Sequence, residues 1–208
     1  MIFNMEFNIQ SYWHIGSGQE GGAYADALVL KNSDYLPYLP GKSIKGLLRD
    51  AFSRAEKNNW FNDFSHENDK NTETLVDVLF GNEGKAGTSE QGALQISSGV
   101  LSSQEIDYLR DNRQAKSQLY KVTYATAIND ETGVAENTSL RSMEVCVPMV
   151  LTTQVSVNTG HIGYLNNKDV LDEKLSLWLT QVVSFITEIG AKRHRGLGKV
   201  IVNVKQEQ

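Results

Sequence analysis

The hydrophobic pattern of this chain switches repeatedly between a period of two and a helical period, and that switching constrains the fold more than any other feature. Residues 2–13 alternate Phe3, Met5, Phe7 and Ile9 against Asn4, Glu6, Asn8 and Gln10, which predicts a half-buried strand. From Lys42 the spacing becomes helical. Ile44, Leu47, Leu48, Ala51 and Phe52 fall at i, i+3, i+4, i+7 and i+8 and make one apolar face, with Lys45, Arg49 and Asp50 off it. Ala93 to Val100 reads as a strand, as does Lys121 to Ile128. Turn chemistry at Asn129-Asp130-Glu131-Thr132-Gly133 then leads to a β-rich stretch from Ser139 to Val157, predicting a long hairpin. Asp169 to Ile189 returns to helical spacing at Leu171, Leu175, Leu179, Val182, Val183 and Ile186, and Val200, Val202 and Val204 alternate in a closing strand. The order β, α, β-hairpin, α, β around one sheet predicts an α+β, ferredoxin-like domain with insertions.

The connections support a single unit. Gly16-Ser17-Gly18-Gln19-Glu20-Gly21-Gly22 is a flexible loop, Ala27 to Leu30 a short apolar strand, and Pro37 and Pro40 bracket an extended stretch. Residues 58–73 are polar and aperiodic and are expected to form a surface insertion, Thr74 to Gly81 reads as a short helix closed by glycine, and 82–92 reads as a loop. A length of 208 residues without a long linker or a solenoid repeat gives one domain over 1–208. With 40% apolar and 22% charged residues, global disorder and fibrous architectures are excluded. No apolar run reaches the roughly 18 residues a spanning helix needs, so no membrane partner is expected. Met1 to Glu6 lacks the basic region of a signal peptide. The single cysteine, Cys146, forms neither an intrachain disulfide nor a cysteine-based zinc site, and a reducing cytoplasm is the expected setting.

Twenty basic against twenty-five acidic residues, a net charge of −5, make a poor polyanion binder in bulk. The distribution changes that reading. Asp63, Glu67, Asp69, Glu73 and Asp77 face only Lys70 in one acidic stretch, whereas Lys192, Arg193, Arg195 and Lys199 follow Gly190 with no acid among them. Lys42, Lys45 and Arg49 form a second basic cluster. Two local cationic sites can hold a polyanion in a groove despite the overall sign.

Gly41-Lys42-Ser43 lacks the glycine five residues earlier that a phosphate-binding P-loop needs, since Leu36 stands there, so a nucleoside-triphosphatase is not indicated. What remains is a helix N-terminus with free N–H groups beside Ser43, Lys42 and Lys45, able to attract phosphate; an ordinary helix end with solvated lysines is the competing reading. Gly190-Ala191-Lys192-Arg193-His194-Arg195-Gly196-Leu197-Gly198 is more specific, because glycines let a ligand approach the backbone and the bases supply charge and forked donors. A solvated basic turn is its competitor. The histidines His14, His66, His161 and His194 show no metal-ligand spacing. His194 belongs with the basic loop; His14, between a strand and a glycine loop, is a candidate general base or a structural histidine.

Taken together these segments resemble the RAMP superfamily of CRISPR-associated proteins. Leu36-Pro37-Tyr38-Leu39-Pro40-Gly41-Lys42-Ser43-Ile44-Lys45-Gly46-Leu47-Leu48-Arg49 is similar to its "PGSSLKGxxR" signature, and Gly190 to Gly198 to its C-terminal glycine-rich loop. Leu79-Phe80-Gly81 matches its "LFG", and Thr126 to Ala135 through Leu140-Arg141 resembles the segment that forms a protruding hairpin, the thumb, here about 122–147. The matches run in family order from about residue 12 to residue 202.

The closest likeness is to the repeated backbone subunit of type III effector complexes. It implies a ferredoxin-like, RNA-recognition-like core, a guide CRISPR RNA held by Lys42, Ser43, Lys45, Arg49, Lys192, Arg193, His194 and Arg195, and a thumb bringing Arg141 and Met143 to the RNA. It also implies target RNA, copies of the chain along the guide and other effector subunits as partners. Cleaving members carry an aspartate in the glycine-containing loop after the first strand; Asp26 is the matching residue and Asp34 the second candidate. The resemblance thus implies metal-dependent cleavage of target RNA, with Asp26 binding Mg2+ or Mn2+ through oxygen. The alternatives are a scaffold that binds guide RNA without cutting, a guide-processing endoribonuclease with His14 as base, and an unrelated small-molecule-binding ferredoxin-like domain.

Overall fold

The structure is a computed structural model and describes residues 1–64, 73–83 and 89–206. In chain order the first half comprises β1 (Ile2–Ile9), α1 (Gly41–Lys57), α2 (Leu75–Phe80), β2 (Gly81–Glu83), β3 (Ser89–Gln91) and β4 (Leu94–Ile96). The second half comprises α3 (Ser103–Asp111), α4 (Arg113–Ser117), β5 (Tyr120–Ala125), β6 (Arg141–Cys146), β7 (Met149–Val157), α5 (Ile162–Asn166), α6 (Lys168–Val182) and β8 (Val200–Gln206).

The main sheet has four strands in the order β4-β7-β1-β8, antiparallel throughout. With α1 and α6 as the crossovers, this is the β-α-β-β-α-β order of a ferredoxin-like core. Phe3, Met5, Phe7 and Ile9 all point to the buried face of β1, as the period-two pattern requires. In register, Phe7 sits opposite Leu151 on one side and Val202 on the other. Ile44, Leu48, Ala51, Phe52 and Ala55 of α1 and Leu171, Leu175, Trp178, Leu179 and Val182 of α6 cover that face. No helix among the described residues is long and apolar enough to cross a membrane.

The structure departs from the sequence expectations in several places, and the strand expected at Ala27 to Leu30 is reduced to isolated bridges at Ala27 and Val29. The helix expected over 169–189 stops at Val182, because residues 187–189 extend to pair with the chain entering β8: Ile189 N–H donates to Gly198 O (2.8 Å) and Val200 N–H to Thr187 O (2.9 Å). The strand expected over 93–100 is regular only at Leu94–Ile96, then kinks at Ser97 and rejoins the sheet at Val100, opposite Thr152. The segment beginning at 58 is not merely surface, since Phe61 and Phe64 are buried and Phe61 stacks on Phe52 at 5.4 Å and meets Trp178 at 5.1 Å; residues 65–72 lie outside the described residues. The stretch expected as a loop over 82–92 contributes the paired strands β2 and β3, with 84–88 outside the described residues.

Two elements had no counterpart in the pattern. Helices α3 and α4 lie between β4 and the hairpin, and α3 opens on a capping box in which Ser102 and Glu105 bond each other's backbone N–H. Strands β5 and β6 pair with each other and with no strand of the main sheet, from Tyr120 opposite Cys146 to Ala125 opposite Arg141, and form the predicted hairpin as a separate two-stranded sheet. It leaves the core between β4 and β7, and nearly every residue from Tyr124 to Arg141 is exposed.

Candidate functional site

The basic loop is held by its glycines. Gly190 and Gly198 both take positive φ, 76° and 74°. A side chain at Gly190 would begin 2.3 Å from His14 O and one at Gly198 would begin 1.8 Å from Ile189 O, so neither position admits one. Backbone bonds from Ala191 N–H to His14 O (2.9 Å) and Gly198 N–H to Tyr12 O (2.8 Å) tie both ends to the chain leaving β1. Between them Arg193–Arg195 make one 3-10 turn, and Lys192, Arg193, His194 and Arg195 are all exposed. None of the four pairs with an acid among the described residues.

The loop faces α1. A groove of about 390 Å³ runs between them, lined by Ile15, Leu39, Ser43, Gly46, Leu47, Asp50, Gly190 and Arg193. Lys42, Lys45 and Arg49 follow one another at i, i+3 and i+7 on the neighbouring stripe of α1. Burial, and then the charge of Arg49, push the Lys45 ammonium below its ordinary pKa. The helix end offers fewer donors than expected. Gly41 N–H reaches Ser98 Oγ at 3.3 Å, and the N–H groups of Ser43 and Ile44 are bonded to Pro40 O. Side-chain cations and Ser43 are therefore the principal means by which α1 can hold an anion.

The second concentration of polar groups lies where the hairpin meets the core. Residues 26–29 run alongside β6: Asp26 N–H donates to Ser142 O (3.1 Å), Glu144 N–H to Ala27 O (2.9 Å), and Ala27 forms a parallel bridge with Met143. The Asp26 carboxylate accepts Ser142 N–H at Oδ2 (2.6 Å) and is exposed. That backbone bond first, the Ser142 side chain next and more weakly Arg141 hold its pKa below the usual carboxylate value. One step along the same face of β6, Glu144 is only 1% exposed. Its Oε1 meets Lys31 Nζ at 2.8 Å and its Oε2 accepts Val29 N–H at 3.0 Å. Lys31 in turn stands 4.1 Å over the Tyr120 ring.

The superfamily profile for RAMPs matches residues 6–201, nearly the whole chain, and decides the family. The chain belongs to the RAMP superfamily. A comparison with curated proteins gave no match. Among solved structures, a subunit of a type III-B Cmr-beta complex bound to cognate target RNA aligns at TM-score 0.61 and 11% identity, covering 98% of this chain and 97% of that one. The apo Cmr-beta complex gives 0.56 at 10% identity over 100% and 98%, and a type IV-B CRISPR complex gives 0.56 at 12% over 99% and 90%. At these identities the likeness is one of fold.

Within this RAMP chain, the structure brings the α1 segment and Arg193 of the glycine loop to one groove, and it sets Asp26 against the hairpin base. Arg141 is exposed, but its guanidinium donates to Thr138 O and Leu140 O (both 3.1 Å). Met143, expected at the RNA, is buried, so it props the strand rather than offering an apolar surface. His14 is buried with Nδ1 2.6 Å from Glu144 O, a structural position unsuited to a general base. Asp34 lies in a turn closed by Asn32 Oδ1, which accepts the N–H groups of Asp34 and Leu36, both at 2.9 Å. Sequence reasoning missed Glu144 and Lys31; the available signal was a lone acid inside the β-rich run Met143-Glu144-Val145-Cys146.

Proposed function

We propose that this RAMP chain is a backbone subunit of a CRISPR effector complex, that its groove between α1 and the glycine loop holds guide RNA, and that Asp26 serves cleavage of the paired target. The observation that carries the reading is the groove itself, with exposed Arg193, which meets no acid among the described residues, on one wall and a second basic stripe beside the other. Such cations contact phosphates and carry no sequence information, which suits a subunit that must accept any guide. The RNA-bound Cmr-beta neighbour supports the same class of partner. Copies of the chain along the guide and other effector subunits complete the proposed assembly.

Asp26 fits a hard divalent cation. It is exposed and ionised at neutral pH, and the Ser142 N–H engages its Oδ2. No group of three or more His, Cys, Asp or Glu is gathered among the described residues. A single carboxylate with substrate phosphate oxygens is a donor set that Mg2+ or Mn2+ accepts. When bound, the cation would offset charge on the scissile phosphate. The chain's own part is to fix Asp26 through Ser142 beside the Arg141 charge, while the neighbouring 2′-oxygen gives up its proton to solvent and forms the new bond to phosphorus and the 5′-oxygen leaves, taking a proton from water.

A second reading keeps guide binding without cleavage, and the Asp26–Ser142 bond favours it, because that bond alone gives the carboxylate a structural task. Asp26→Asn separates the two. The amide oxygen still accepts Ser142 N–H while the charge is gone. Target cleavage by assembled complexes with Mg2+ is expected to fall on the order of a hundredfold or more with guide and target binding retained. Undiminished cleavage, or no cleavage by the unmodified protein, supports the scaffold instead.

A further inference from the structure

Residues Tyr12 to His14 form a strap between the glycine loop and the hairpin, and its two edges are bonded to different elements. On one edge Tyr12 O accepts Gly198 N–H (2.8 Å) and His14 O accepts Ala191 N–H (2.9 Å). On the other, Trp13 exchanges both backbone bonds with Cys146: its N–H donates to Cys146 O (3.1 Å) and its O accepts Cys146 N–H (2.8 Å). The Trp13 indole adds a bond to Val147 O (3.1 Å). The His14 ring extends this edge along β6, with Nδ1 2.6 Å from Glu144 O. A carbonyl oxygen only accepts, so Nδ1 carries the proton. The ring is buried, 4% exposed, and its donor has no water to turn to.

One residue therefore joins two parts of the molecule that the sequence keeps far apart. Through its main chain His14 holds the loop that carries Lys192 to Arg195, and through its ring it holds the strand that carries Asp26. Glu144 N–H donates to Ala27 O (2.9 Å), and two residues along β6 the Ser142 N–H binds Asp26 Oδ2 (2.6 Å). Trp13 anchors β6 at its Cys146 end, and the His14 ring anchors it two residues nearer the carboxylate. Two anchors fix the direction of a strand, whereas one leaves it free to pivot. A loop that loses freedom on binding RNA passes that restraint along directly bonded groups. We infer that His14 is a positioning residue that couples the glycine loop to the Asp26 carboxylate, so that RNA seated on the loop steadies β6 and the acid it holds. The inference rests on the proposed function.

The test compares His14→Leu with His14→Asn. Asparagine places an amide donor where imidazole has Nδ1–H, whereas leucine fills the space and donates nothing. Both keep the main-chain bond to Ala191 and the Trp13 anchor, so loop and hairpin stay attached. Amide hydrogen exchange at Ser142, Glu144 and Cys146 is followed with and without a single-stranded guide RNA. Guide is expected to slow these amides about fivefold or more in the unmodified protein and the Asn variant, and not in the Leu variant, which retains guide affinity. In assembled complexes His14→Leu lowers target cleavage about tenfold to a hundredfold with target still bound, and His14→Asn restores it. A packing role gives the opposite order, since leucine suits a buried site better than asparagine, so an Asn variant worse than Leu overturns the coupling. Exchange slowed equally in the Leu variant also overturns it, because RNA then steadies β6 without His14; guide binding upholds the proposed function in both cases. Exchange slowed only where His14 or Asn donates, with undiminished cleavage by Asp26→Asn, supports the coupling and removes the cleavage reading alone. An unmodified protein that binds no guide overturns both.

Discussion

The buried pair Glu144–Lys31 is a quantitative test of how the hairpin is attached. The Glu144 side chain is 2% exposed and that of Lys31 is 25% exposed. Lys31→Ala removes the cation and leaves a buried carboxylate with Val29 N–H as its remaining donor. Breaking a buried pair from one side costs about 3–5 kcal/mol, and because the Val29 N–H donor remains, the low end, about 3 kcal/mol, is expected. That is on the order of a hundredfold in the folding equilibrium and a urea midpoint about 1 to 3 M lower. Glu144→Gln keeps the volume and the acceptor for Val29 N–H, and leaves Lys31 free to turn toward water, so it costs less, about 1–2 kcal/mol. The double variant Lys31→Ala with Glu144→Gln leaves no stranded charge and should cost less than the two single changes added together. Urea unfolding followed by tryptophan emission reads this directly, because buried Trp13 donates its indole N–H to Val147 O (3.1 Å) at the hairpin base. A Lys31→Ala cost below about 1 kcal/mol, or strictly additive changes, would refute the reasoning.

Three further outcomes are expected. Replacing Lys192, Arg193 and Arg195 together with alanine should weaken RNA binding about equally for every sequence and lower the salt slope of single-strand binding by about 2, measured by filter binding between 50 and 300 mM salt; loss confined to particular sequences would contradict phosphate recognition. Gly46→Ala should raise the melting temperature of the free protein by a few degrees, since a glycine inside a helix costs about 1 kcal/mol and a side chain there meets nothing within 4 Å, yet lower RNA affinity because Gly46 lines the groove; unchanged affinity would show that the groove does not admit RNA at that point. The folded Asp26 pKa lies below its unfolded value near 3.9, so the stability it contributes is fully present above that pH and disappears as pH falls through the folded value. Thermal melts from pH 2 to 7 should therefore show Asp26→Asn less stable by a constant margin above about pH 5, closing below about pH 4; a margin constant at all pH values would place the effect outside titration.

Most of the core was legible because its elements bury one face each. The alternation in β1 and β8 and the stripe in α1 survive into the structure residue by residue, Leu47 and Val204 excepted, which are only half-buried. Helix α3 was not legible from periodicity because Leu109 is its sole buried residue; its signal was the capping pair Ser102 and Glu105. The end of α6 was misjudged for the opposite reason. Ile186 and Ile189 are buried from an extended segment, so apolar spacing continued past the last helical turn. At the start of the 58–73 stretch, the aromatics Phe61 and Phe64 outweighed its polar composition.

The candidate site divides along the same line. The basic loop could be read locally, since charge and glycine spacing lie within nine residues, whereas the Glu144–Lys31 contact joins residues 113 apart and leaves no local trace. Its necessity follows from topology. The β5–β6 hairpin pairs with no strand of the main sheet, and an isolated two-stranded hairpin is marginal in water. Trp13, His14, Val29 and Lys31 all converge on β6 and Val147 and supply the attachment the sheet does not. The same strand, through Ser142, holds Asp26. A hairpin displaced by RNA or by a neighbouring subunit would therefore carry the Asp26 carboxylate with it, so placement of the hairpin and placement of the carboxylate are one structural variable rather than two.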